Sequence, residues 1–93
     1  MVNKNIIKIR KKLDKLDNQF LNIIKKRTLL VDQVLKNKKF KKDIIDKKRI
    51  KVILKNISKK SKRKKIDYLI TKRIWSSMIK AYIDYEYRNF DKK

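Results

Sequence analysis

Glu86 is the only glutamate in the chain, and it follows Trp75, Ile79 and Tyr82 at helical spacing. A carboxyl on such an apolar stripe has two uses. It can pair with one of the many cations, or it can be a buried acid held neutral so that it donates a hydrogen bond to a bound molecule. Cations occupy comparable places. Ile9, Leu13, Leu16, Phe20 and Ile23 are spaced 4, 3, 4 and 3, and the rhythm resumes at Leu30 and Val34. This is a heptad seam of the kind that packs against another helix. Arg27 falls on the beat between Ile23 and Leu30. Either its stem packs while its head escapes to water, or the seam opens there into a pocket.

Lys38 lies 11 residues beyond Arg27. On a continuous helix that separation brings the two within about 20° around the axis, roughly 16 Å apart along it. Arg10 lies 17 residues before Arg27, about 25 Å and 100° away on one helix. The two cannot share a metabolite-sized pocket within one chain, but they can across an antiparallel partner helix. Arg49 closely follows Asp46, which is suited to capping a helix. Alone, Arg49 reads as a solvated helical arginine. Several cations and one carboxyl on apolar faces suit a small polyanion bearing an ether or hydroxyl group. They suit DNA less well, because DNA-binding cations belong on exposed faces.

Composition narrows the chemistry further. The 93 residues include no Gly, Pro, Cys or His. Disulfides, thiolate metal sites and the usual zinc ligands are therefore missing, as is the commonest general base. Neither a metal nor a cofactor is expected. Any catalysis must work by placing charge and shape around a substrate. Lys and Arg number 31 against 9 acidic residues, a formal net charge of +22. Nucleic-acid binding and a basic pocket for an anionic substrate both fit this excess. So does a compositional bias toward Lys and Ile that leaves most lysines merely solvated. No uninterrupted apolar run has the length of a signal peptide or a membrane span, so a soluble, cytoplasmic protein is expected, with no membrane partner.

Three helices are needed to position these groups. The first is predicted from about Asn5 to Lys38; at roughly 34 residues it would be about 50 Å long, more than a small domain's width. It must lie on something outside its own fold, most economically a second copy of itself. The run "KNKKFKKD" breaks the pattern. Asp46 then caps a second helix, Lys47 to about Ile57, with Ile50, Ile53, Leu54 and Ile57 as its stripe. "SKKSKRKK" at 58–65 reads as a polar loop. Asp67 caps a third helix, about Tyr68 to Phe90, whose stripe is Ile70, Ile74, Trp75, Met78, Ile79, Tyr82 and Ile83. No stretch alternates long enough to predict a strand.

Four motifs, in order, resemble the small all-α chorismate mutases. "IRKKLDKLDNQFLNIIKKR" is similar to that family's opening arginine, "IDxLD"-like segment and Leu-rich stretch ending in Arg. "VDQVLKNK" ends in the family's lysine, "IIDKKRIKVIL" is similar to a "YDxxRExxVL" pattern, and "IWSSMIKAYIDYE" to "IFxxIIxxSIxxQ/E". Each is weak alone; together they span about Ile9 to Phe90. The resemblance implies one all-α domain over residues 1–93, with three helices, a very long first helix and an intertwined homodimer. It implies that chorismate is rearranged to prephenate, within aromatic amino acid biosynthesis, and that no covalent intermediate forms.

The resemblance also assigns positions. Arg10 is similar to the arginine that reaches into the partner's site. Arg27, Lys38 and Arg49 resemble the cations that hold the two carboxylates and the ether oxygen of chorismate. Asp46 resembles the acidic residue opening the second helix, and Glu86 the Gln or Glu that hydrogen-bonds the breaking ether bond. Lys38 and Glu86 are thus the expected catalytic pair, with Arg10, Arg27, Asp46, Arg49, Ile50 and Tyr82 as substrate-binding positions. Two residues depart from the mutase pattern: Ile50 stands where mutases carry a Glu, and Tyr82 where many carry Ser. Both changes resemble the isochorismate pyruvate lyases on the same fold, the alternative activity. A non-enzymatic alternative is a basic helical nucleic-acid binder using "SKKSKRKK"; the expected placement of the key cations on apolar faces makes nucleic acid the less favoured partner.

Overall fold

A computed structural model describes residues 3–93. Helix α1 is Lys4–Lys36, α2 is Lys47–Arg63 and α3 is Tyr68–Asn89. Short 3-10 turns occupy Lys41–Asp43 and Phe90–Lys92, and no strand occurs among the described residues. The all-helical, three-helix architecture expected from periodicity is the one found. Two compact units divide the chain, the first ending at Gln33 and the second being Val34–Lys93.

In the first unit the chain is one uninterrupted helix. With no Gly or Pro and many Lys, Leu and Ile, nothing in it breaks the hydrogen-bond ladder. Asn3 starts it: its Oδ1 accepts from Asn5 N at 2.7 Å, satisfying one of the donors a helix start leaves open. The seam residues Ile9, Leu13, Leu16, Phe20 and Ile23 are between 43% and 58% exposed. Covering the open half of each such side chain would contribute roughly 1 kcal/mol.

The second unit is built on a helical hairpin. Asp46 and Asp67 cap α2 and α3, accepting from Arg49 N at 3.0 Å and Leu69 N at 2.9 Å. The two helices pack against each other across a connection of only four residues, 64–67. So short a link requires antiparallel neighbours. Near the hairpin bend the buried hydroxyls of Ser61 and Thr71 bond at 2.8 Å, satisfying both. Leu35 and Ile44 are the buried apolar residues, and the α2 stripe of Ile50, Ile53, Leu54 and Ile57 is half-buried. On α3, Trp75, Met78, Ile79, Tyr82 and Ile83 are half-buried, whereas Ile70 and Ile74 remain exposed.

Two boundaries differ from those predicted. The segment 58–65 is no loop: α2 continues to Arg63, and only Lys64 and Lys65 turn. Lys and Arg are good helix formers, and no Gly or Pro stops the ladder; Ser61 then gains a buried partner on α3. The helix ends where Lys65 adopts φ 56°. Ile66 N bonds Ser61 O at 2.9 Å and Lys65 N bonds Lys62 O at 3.2 Å, a Schellman cap made without glycine. Likewise α1 stops at Lys36 rather than Lys38. Asn37 N and Lys38 N fold back onto Val34 O and Leu35 O at 3.0 and 3.1 Å. That tightening takes Lys38 off the helix, so the angular argument placing it on the face of Arg27 does not hold.

Candidate active site

Lys38 and Glu86 meet. Lys38 Nζ is 3.0 Å from Glu86 Oε1 although 48 residues separate them. The same ammonium donates to Ile44 O at 3.2 Å. Three elements make this possible. The turn after α1 sets the lysine backbone, the 3-10 segment Lys41–Asp43 turns the chain so that the Ile44 carbonyl faces the ammonium, and α3 presents Glu86 on its inner face. Glu86 is 7% exposed, and the side chains of Lys38 and Glu86 are 18% and 9% exposed. At that depth solvent screens the pair weakly, so losing either partner leaves the other desolvated and uncompensated.

Asp46 and Arg49 are joined by the α2 cap, through the Arg49 backbone N–H. Both side chains are exposed in the first turn of α2, and Ile50 beside them is half-buried. Tyr82 lies one turn before Glu86 on α3, half-buried, with its ring edge-on to Tyr85 at 6.3 Å between centroids. Arg10 and Arg27 belong to the other unit, where both are exposed on α1. The structure therefore brings Lys38 and Glu86 together and leaves the arginines open to solvent. A shallow cleft at the start of α2, lined by Lys42, Asp43, Ile45, Asp46, Lys47 and Lys48, includes neither Lys38 nor Glu86.

Sequence reasoning missed the Ile44 carbonyl as a third member of the Lys38 cluster. Backbone acceptors in an irregular segment carry no residue-type signal. It also missed Lys93, whose ammonium donates to Leu35 O at 3.2 Å and to Lys38 O. No periodic pattern marked that position.

A long amphipathic helix followed by a capped hairpin, with a shielded lysine–glutamate pair within the second unit, defines an all-α protein. The chain belongs to the chorismate mutase type II family, whose profile matches residues 9–87. No curated protein and no solved structure matches it. Membership carries a chorismate-mutase-type function, that of an isomerase family. Among the described residues, no helix is long and apolar enough to cross a membrane.

Proposed function

We propose that the chain is a chorismate mutase, converting chorismate to prephenate in a site shared between two copies. The observation that carries this reading is the Lys38–Glu86 contact at 3.0 Å. It joins the chain's only glutamate to one lysine among 31 cations, and both sit at positions where the family motifs have their ether-oxygen ligands. Arg27, Arg49 and Arg10 of the partner subunit grip the two substrate carboxylates. That grip holds the enolpyruvyl side chain folded over the ring, so that the reacting carbons are already close. The carbon–oxygen bond to the ring then breaks as the new carbon–carbon bond forms. Lys38, held in place by Glu86, donates to the ether oxygen as its negative charge grows. Such preorganised donors are worth several kcal/mol in a shielded site.

The homodimer rests on α1. Its seam is about half exposed in the single chain, and a second α1 is the surface whose spacing matches it. With a second copy present, Arg10 is available to a site it cannot reach from within its own helix.

Ile50 and Tyr82 favour a second reading, lysis of isochorismate to salicylate and pyruvate. An aliphatic side chain at Ile50 offers no acceptor to a substrate hydroxyl, and a tyrosine at 82 fills space that serine leaves open. The deciding experiment offers the purified protein chorismate and isochorismate in turn. Prephenate from chorismate supports the mutase. Salicylate plus pyruvate from isochorismate, with chorismate untouched, overturns it.

A further inference from the structure

The segment after α3 closes on the same short stretch of chain that carries Lys38. Helix α1 ends with carbonyls that have no partner inside the helix. Leu35 O accepts from Lys38 N at 3.1 Å and from Lys93 Nζ at 3.2 Å. Lys38 O accepts from the same Lys93 ammonium. That ammonium lies 4.2 Å from the centre of the Phe90 ring, a cation–π contact that steadies it. Beside it, Asp91 Oδ2 is 3.2 Å from Lys41 Nζ. A cation at this end of α1 also complements the helix dipole.

We propose that Lys93 is a positioning residue for Lys38. The proposal rests on the reading of Lys38 as the group that meets the ether oxygen. Lys38 is held at two ends, and the two ends differ in kind. At its tip, Glu86 and Ile44 O share the ammonium, and these contacts must loosen or be shared when a substrate oxygen arrives. At its root, the N–H bonds Leu35 O and the carbonyl accepts from Lys93. These root contacts compete with no ligand. They fix the peptide groups on both sides of the Lys38 Cα, which sets where a four-carbon side chain can place its charge. Lys93 therefore supplies the part of the constraint that persists while the tip exchanges partners. A small displacement of that root moves the ammonium relative to the ether oxygen, and catalysis is sensitive to such displacement.

The test uses the full chain carrying Lys93→Met or Lys93→Arg, alongside Lys38→Ala. In Lys93→Met, amide hydrogen exchange at Lys38 should quicken and kcat for chorismate should fall about tenfold, with KM changing less than twofold. Lys93→Arg, which keeps the cation, should recover most of the loss. In a Lys38→Ala background, Lys93→Met should have no further effect on kcat. Unchanged exchange at Lys38 in Lys93→Met overturns the proposal. Faster exchange with an unaltered kcat overturns it too, and leaves Lys93 as a helix-end stabiliser. If Lys38→Ala itself turns over chorismate normally, the assignment of Lys38 has failed and the proposal falls with it; that outcome is separately visible because it does not involve Lys93.

Discussion

Lys38 Nζ and Glu86 Oε1 stand 3.0 Å apart, their side chains only 18% and 9% exposed. A lysine just beyond the end of the first helix and a glutamate of the third are thereby one unit, and neither charge can be removed without leaving the other unpaired.

Replacing Lys38 by Met should therefore damage both activity and stability. On the mutase reading proposed above, the loss of a shielded donor to the ether oxygen should lower kcat/KM by roughly 10²- to 10³-fold. Leaving the Glu86 carboxylate without its partner should cost roughly 3 kcal/mol of stability. Initial rates of chorismate loss and urea unfolding midpoints check the two separately.

Glu86→Gln separates charge from hydrogen bonding. Gln donates through its amide at every pH, whereas Glu donates only when protonated. The mutase reading expects Glu86→Gln, which drops the charge and keeps a donor, to retain turnover of chorismate. Loss of turnover in a folded Glu86→Gln protein would show that the charge of Glu86 beside Lys38 is what the site needs.

Leu16→Asp places a charge in the middle of the exposed seam. In a dimer built on α1 it should shift the protein to monomer and abolish turnover, because Arg10 is then lost to the site. Sedimentation across a range of concentrations reads the assembly, and the melting temperature of the native protein should rise with concentration. A wild-type protein that sediments as a monomer throughout contradicts the shared site.

Ile50→Glu restores the carboxylate found in the mutase pattern, next to Arg49. Turnover of chorismate should rise if the site is a weakened mutase. No gain, together with activity on isochorismate, assigns Ile50 to the lyase chemistry.

Lys65→Gly addresses stability alone. Lys65 holds φ 56° in the α2 cap, a conformation that costs a residue with a Cβ roughly 1 kcal/mol and glycine almost nothing. Because glycine also frees the unfolded chain, the net gain should be about 0.5 kcal/mol. It should appear in the urea midpoint with activity unchanged.

Helix identity and capping were readable from residue order. Asp46 and Asp67 are the caps their spacing predicted, and the stripes of α2 and α3 face where periodicity put them, apart from the exposed Ile70 and Ile74. These features depend on neighbours within a turn or two, so local sequence contains them. The extent of α2 was not readable, because "SKKSKRKK" is polar enough for a loop and propensity alone does not choose. The helical form adds the buried Ser61–Thr71 bond, a contact between residues on different helices that local sequence does not contain.

The seam of α1, the isolation of Glu86 as the only glutamate and the lack of any metal-ligating His or Cys are properties of the chain's composition and order. They restrict the chemistry before any fold is considered. Lys38 needed the tertiary structure. Helical geometry assigned it to the face of Arg27, but the chain leaves the helix at Lys36, and the ammonium then turns to Ile44 O and Glu86. The physical reason is that a side chain's partners are set by where the backbone turns, and that turn is stabilised by groups as remote as Lys93, which one-dimensional spacing does not encode.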